Sequence, residues 1–282
     1  TANALTKNER AMSQAMERLS TGQRINSAGD DAAGLAISSR MTSQVNGLNM
    51  AVRNANDAIS LLQTADGAIG EMSSMLQRMR ELAVQADNGT NSSTDLTALD
   101  TEFDALEAEI ERIANNTQWN GTALLSGASA FSFQVGANAS QAISVTIKDF
   151  NTANGDASSG VFENLDTAST YADEATAGQD LAGLDIASTS NHANAITYLT
   201  NAITRVDTQR ATIGSAINQL EYAADNLANV SQNTSASRSR ILDADYASET
   251  TELARTQIIQ QAATAMLSQA NQQAQSVLAL LR

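Results

Sequence analysis

Seven apolar residues, Met41, Val45, Leu48, Val52, Ala55, Ile59 and Leu62, follow one another at steps of 4, 3, 4, 3, 4 and 3. An apolar residue every 3.5 positions keeps one face of an α-helix turned towards a partner, so this segment predicts a heptad seam. The next slot, Asp66, breaks the stripe, which resumes at Ile69, Met72, Leu76, Met79 and Ala83. There is no proline in the 282 residues, so nothing forbids one helix from about residue 32 to 87. Such a helix would be on the order of 80 Å long at about 1.5 Å per residue. Gly67 and Gly70 weaken its middle, each by about 1 kcal/mol relative to alanine.

A second seam runs through Leu96, Leu99, Phe103, Leu106, Ile110 and Ile113, after a turn-like joint over residues 88–93. A third lies far along the chain at Ile196, Leu199, Ile203, Val206, Ile213, Ile217, Leu220, Ala224 and Leu227, interrupted by Arg210. Three such seams, two adjacent and one remote, predict a mainly α fold: a long antiparallel helical bundle closed by the returning chain. Aromatics make up only 4% of the residues. An apolar content of Ala, Leu, Ile, Val and Met suits thin helix seams better than a thick interior.

Between the second and third seams the period changes to two. Phe131, Phe133 and Val135 alternate with polar residues, as do Ile143, Val145 and Ile147, across the turn-like residues 136–140. This predicts a β-hairpin with one apolar face, and Trp119 is expected to pack at its base. Residues 151–190 are rich in Asn, Gly, Ser, Thr, Asp and Ala and carry little pattern, so they read as a short surface excursion.

Each terminus carries a weaker stripe. One is Leu5, Met12, Met16 and Leu19; the other is Ile259, Ala263, Met266, Ala270, Ala274, Val277 and Leu281. Thinly apolar helices need partners. Two readings fit: the ends pair within one chain, or they are disordered alone and ordered by assembly. Polar runs at residues 20–31 and 235–240 read as the two strands of one joint. Asp30 or Asp31 is placed to cap the long helix.

Several function classes are excluded or disfavoured. With 31 acidic against 16 basic residues the net charge is −15, which opposes nucleic-acid binding. Cysteine is absent and histidine occurs once, so thiolate chemistry and imidazole metal clusters are out, and no cofactor is expected. His192, without a partner motif, reads as a surface residue. The acid pairs Asp30–Asp31 and Asp243–Asp245 read as caps and as charges facing Arg24, Arg238 and Arg240, ahead of a two-carboxylate enzyme site. The sequons at Asn88, Asn120 and Asn138 are what chance gives in so Asn-, Ser- and Thr-rich a chain. No run of 18 apolar residues exists, so no membrane insertion is expected. Residues 1–7 lack the apolar core and cleavage box of a secretory signal, so if the protein leaves the cell it uses a route that does not read a cleaved signal.

The segment from Glu17 to Ile37, ERLSTGQRINSAGDDAAGLAI, resembles the N-terminal signature of bacterial flagellins. Leu76 to Gln85 (LQRMRELAVQ), Ser237 to Ala247 (SRSRILDADYA) and the ending Ser276 to Arg282 (SVLALLR) resemble further flagellin signatures. Several long motifs in order are far more specific than a lone short one. Flagellins usually start about a dozen residues earlier, so the N-terminal helix is expected to be trimmed here. Many also carry a proline near Ala274, and its absence favours an unbroken last helix.

The resemblance implies a secreted, non-enzymatic subunit of the extracellular flagellar filament, a helical homopolymer used for swimming. It implies terminal helices and linkers (D0: 1–30 and 237–282), a helical rod with the hairpin (D1: 31–150 and 191–236) and a short variable segment (151–190). The assembly interface is then expected at Leu5, Met12, Met16, Leu19, Ile259, Met266, Val277 and Leu281. Packed helices with near-degenerate arrangements would switch between two lattices, turning rotation into thrust. Implied partners are the flagellar export chaperone, held at about residues 243–282, and the cap and junction proteins. A host Toll-like receptor would recognise the residues matching its motif, Arg78, Leu82 and Glu102; their ordinary reading is Leu82 in packing and the two charges solvated or paired. O-linked sugars on the Ser/Thr-rich segment are also possible in this family. The alternatives are a hook–filament junction protein, which shares the helical plan, and a flagellin-like surface protein that binds a ligand.

Overall fold

The structure, a computed structural model, describes residues 2–152, 160–162, 165, 180–187 and 192–280, with the backbone alone for residues 2 and 270–280. It has five long helices: α1 (Ala2–Thr21), α2 (Ala32–Ala86), α3 (Ser93–Asn116), α4 (His192–Leu242) and α5 (Tyr246–Leu280). Two small antiparallel hairpins lie between α3 and α4, β1–β2 (Gln118–Trp119, Thr122–Ala123) and β3–β4 (Ser129–Gln134, Ala142–Ile147). The chain forms two compact units, one from residues 1–47 and 229–282, the other from residues 48–228. Both α2 and α4 contribute to each.

In the 48–228 unit the predicted stripes become the core. Ala55, Leu62, Ile69, Met72, Leu76, Met79 and Ala83 of α2 are fully buried with Phe103 and Ile110 of α3 and Leu199, Val206, Ile213 and Leu220 of α4. Arg210 of α4 bonds to Asp66 and Thr200 to Arg80. Residue number rises along one helix as it falls along the other, so α2 and α4 run antiparallel. At the joint after α2, the Asn91 side chain donates to the Gln85 carbonyl at 2.6 Å, satisfying an orphan helix-end acceptor. Ser92 then caps α3, its hydroxyl accepting from the Asp95 N–H while the Asp95 carboxylate accepts from the Ser92 N–H, a reciprocal box.

The expected hairpin is β3–β4, which pairs Phe131 opposite Val145 and Phe133 opposite Ile143, with Val145 and Ile147 buried. Val135 falls one residue beyond the strand. Gln209 of α4 donates to the Thr146 carbonyl at 3.0 Å, and Asn54 of α2 donates to the Gln134 carbonyl at 3.2 Å, so both helices hold the hairpin by its backbone. The smaller hairpin turns at Asn120 and Gly121, with φ of 49° and 81°, the two positive angles of a type I′ turn. Trp119, half-buried on β1, packs against the core as expected.

Two expectations are corrected. The described part of the middle segment is no surface excursion: Val161, Phe162, Leu165, Leu181 and Ile186 are fully buried. Its backbone is tied down by Val161 N–H to the Asp149 carbonyl (2.7 Å) and by the Thr152 N–H and hydroxyl to Glu111 (2.8 and 2.9 Å). The rest of 151–190 lies outside the described residues. His192 is buried, not at the surface; its Nε2 lies 2.8 Å from the Ile186 carbonyl and its Nδ1 3.8 Å from Asp87. At the first turn of α4 it fastens the middle segment to the bundle.

Candidate assembly face

In the unit formed by both ends of the chain, the turn between α1 and α2 meets the turn between α4 and α5. Gln23 and Asp243 form an antiparallel bridge; the Arg24 N–H donates to the Leu242 carbonyl at 2.6 Å and the Ala244 N–H to the Gly22 carbonyl at 3.0 Å. Residues 235–240, expected as part of this joint, are helical instead, and the partner strand is Asp243–Asp245. Asp31 caps α2 by accepting from the Gly34 N–H at 2.9 Å. The Asp30 carboxylate accepts from the Ser27 N–H and hydroxyl and the Asn26 N–H, and these bonds, Ser27 first, hold it below its ordinary value. The arginines expected to face these acids bond to neutral acceptors: Arg24 to the Ile241 carbonyl, Arg238 to Thr42 and Arg240 to Ser237.

In this structure the two ends pair within the chain. The face of α1 that meets α5 carries Leu5, Asn8, Met12, Ala15 and Leu19, at steps of 3, 4, 3 and 4; Ala15 is buried and the rest half-buried. The facing stripe of α5 carries Glu249, Leu253, Thr256, Gln260 and Ala263, with Thr256 buried. Its bonds are polar: Arg18 to Glu249 at 3.0 Å, Asn8 to the Thr256 carbonyl at 2.7 Å, and the Tyr246 hydroxyl to the Leu19 carbonyl at 3.1 Å.

The seam therefore mixes Leu5, Met12, Leu19 and Leu253 with polar and small residues, and other large apolar side chains are left outside it. Met16 is 54% exposed, Ile258 66%, Ile259 41% and Met266 69%, and Leu267 is exposed as well. Of the expected interface residues, Leu5, Met12 and Leu19 sit in the seam within the chain, while Met16, Ile259 and Met266 are free. Val277 lies on α5, described by its backbone alone, and Leu281 lies outside the described residues. The sequence reading missed Ile258 and Leu267, because it assigned the most apolar stripe of α5 to one seam. It also missed Thr256 and Ala15, whose small size permits the close approach.

A second surface lies in the other unit. Arg78 of α2 donates through Nε and Nη2 to one Glu102 oxygen of α3, at 2.9 and 2.8 Å, and through Nη1 to Glu81 at 3.2 Å. All three side chains are about half exposed or more, whereas Leu82 is fully buried. No group of three or more metal-ligating side chains occurs among the described residues, and none of their helices is long and apolar enough to cross a membrane.

The chain matches two family models, described as the bacterial flagellin N-terminal helical region, over residues 1–130, and the bacterial flagellin C-terminal helical region, over residues 196–281. It is 42% identical to a flagellin of Bacillus subtilis (strain 168) in an alignment of 302 residues that covers 100% of this chain and 96% of that one. It is 45% identical to a flagellin of Halalkalibacterium halodurans over 270 residues, 95% of this chain and 91% of that one. A solved Vibrio parahaemolyticus protein described as flagellar hook-associated aligns with a TM-score of 0.59 at 14% identity, covering 76% of this chain and 100% of that one. That likeness is one of fold alone.

Proposed function

This chain belongs to the bacterial flagellin family, a structural subunit that polymerises into the flagellar filament, and we propose that the outward apolar faces of α1 and α5 are the surface through which it does so. The observation that carries this is the seam between α1 and α5. It is closed by Ala15, Thr256, the Arg18–Glu249 pair and the half-buried Leu5, Met12, Leu19 and Leu253, and leaves Met16, Ile258, Ile259 and Met266 in water. A second copy that covers those side chains removes their apolar surface from solvent, and a head-to-tail contact that does not close propagates as a helix of subunits. Residues 1–30 and 237–282 serve as D0, residues 31–150 and 191–236 as D1, and 151–190 as the variable segment. We propose that Val277 and Leu281 extend this interface, while Leu5, Met12 and Leu19 serve it indirectly by holding α1 against α5.

We propose also export to the cell exterior, as the family membership supports, and an export chaperone that masks α5 before assembly, as its exposed apolar side chains support. Cap and junction proteins meet it at the filament ends. A Toll-like receptor site at Arg78 and Glu102 is supported by their exposure. Leu82, being buried, serves that site only by holding α2 in place. A cell-reporter assay that gives no response to the monomer removes that reading. No catalytic role belongs to this function.

Seeded assembly followed by negative-stain electron microscopy tests the main reading. The wild-type chain is expected to extend seeds into tubes of uniform width, and an Ile259→Asp, Met266→Asp variant with unchanged helicity to stay monomeric. Tubes from that variant at the wild-type concentration would show that the face lies elsewhere.

A further inference from the structure

The exposed apolar face contains two sulfur atoms, and the chain has no cysteine to compete for an oxidant. Methionine thioethers are then its most readily oxidised side chains. They differ widely in exposure. Met72 and Met79 are fully buried in the 48–228 unit, Met12, Met41 and Met75 are half-buried, Met16 is 54% exposed on α1, and Met266 is 69% exposed on α5. Met50, 48% exposed on α2, is the third exposed one, and its sulfur accepts a close contact from the Arg53 guanidinium. The two most exposed sulfurs therefore lie on the surface assigned above to contact between copies.

We propose that Met16 and Met266 form an oxidation-sensitive site that decides whether a free subunit can join the polymer. The reactant is a peroxide. A sulfur lone pair attacks one peroxide oxygen, the O–O bond breaks, a proton moves to the departing oxygen, and water leaves. The thioether is oxidised by two electrons to the sulfoxide and hydrogen peroxide is reduced to water. The sulfoxide oxygen is a strong acceptor, set beside the exposed apolar side chains Ile258, Ile259 and Met16 or Met266. A second copy seated there would bury it unpaired, which disfavours the contact. Once a subunit is covered the same sulfurs are out of reach, so oxidation acts on free chains and spares the finished polymer. This inference rests on the assembly reading of α1 and α5.

The test uses the full chain, free and polymerised, treated with hydrogen peroxide and mapped by peptide mass spectrometry. Met16 and Met266 are expected to oxidise fast in the free chain and at least tenfold more slowly in the polymer, with Met72 and Met79 slow in both. The oxidised chain should need about a tenfold higher concentration to assemble. Methionine sulfoxide reductase should restore assembly. Peroxide should leave the assembly concentration of a Met16→Leu, Met266→Leu variant where it stands for that same variant untreated, whereas Met50→Leu should remain sensitive. Equal oxidation of Met16 and Met266 in free chain and polymer, or unchanged assembly after complete oxidation, overturns the proposal while leaving the assembly function intact. Failure of the untreated chain to assemble overturns both.

Discussion

Asp66 and Arg210 fill one another's defects. Asp66 breaks the apolar stripe of α2, Arg210 breaks that of α4, and in the fold the Arg210 Nε donates to Asp66 Oδ1 at 2.9 Å, with Nη2 3.4 Å from Oδ2. The carboxylate raises the guanidinium further above its ordinary value. Two interruptions 144 residues apart thus mark one level of the bundle and fix how α2 and α4 align along it.

The pair is about 40% exposed on each side, so its coupling should be modest, about 0.5–1 kcal/mol in a double-mutant cycle with Asp66→Ala and Arg210→Ala. The Asp66→Leu, Arg210→Leu double variant, with continuous apolar stripes, should be at least as stable as wild type in urea. Zero coupling would mean that the alignment of the helices owes nothing to this contact.

Leu82 and Arg78, neighbours in one signature, should separate cleanly. Leu82 is fully buried, so Leu82→Ala should cost about 2–5 kcal/mol. Arg78→Ala removes an exposed pair and should cost far less. Thermal melts of the two variants decide it, and similar losses would contradict the burial.

Gly34 is fixed by its surroundings. A Cβ there would stand 2.5 Å from an Asp31 carboxylate oxygen and 2.7 Å from Ile25 Cδ1. Gly34→Ala must displace the helix cap or the buried Ile25, and should destabilise the unit formed by residues 1–47 and 229–282 by about 1–3 kcal/mol. Hydrogen exchange of the first turns of α2 should quicken; unchanged protection would show that the loop moves aside at no cost.

Glu107 on α3 should make stability depend on pH. Burial chiefly, against an opposing Thr152 hydrogen bond, and then the Asp104 and Glu111 charges hold its carboxyl above the ordinary glutamate value. A folded pKa above the unfolded one gives a contribution that is full below the unfolded value and is lost as pH rises through the folded one. Glu107→Gln should therefore raise the melting temperature at pH 7 by about 1–3 °C, and the gain should vanish below about pH 4. A gain that persists in acid would assign the effect to packing instead.

Charge is segregated along with fold. Residues 1–47 and 229–282 carry 9 basic and 8 acidic residues, leaving 7 basic against 23 acidic in residues 48–228. A polymer built through the nearly neutral ends must also gather the acidic parts. Raising ionic strength from about 10 to about 150 mM, which shortens the screening length from about 30 to about 8 Å, should lower the concentration needed for assembly. No change would mean that the acidic parts stay farther apart than the screening length.

Where the chain repeats a period, local pattern carried the fold. The 3.5-residue stripes of α2, α3 and α4 gave the helices, with α2 starting at the expected Ala32, and the two-residue alternation gave β3–β4. A repeat constrains many residues at once, so a break such as Asp66 does not hide it. The middle segment defeated the same reasoning. Val161, Phe162, Leu165, Leu181 and Ile186 are single apolar residues scattered through polar sequence. Without a period, nothing local says that they turn inward, and the same holds for His192.

The sequence by itself determined the helices, the hairpin and the absence of cysteine and proline, because these depend on near neighbours and composition. Only the tertiary structure decided which stripe of α5 faces α1. By apolarity the Ile259–Met266 stripe was the candidate, yet the α1–α5 seam uses Glu249, Thr256 and Gln260. Arg18, Asn8 and Ala15 of α1 offer charge complementarity, a hydrogen bond and close approach that the larger apolar side chains cannot match. That choice between two faces of one helix rests on a partner helix more than 200 residues away, and it leaves the apolar face free for another copy.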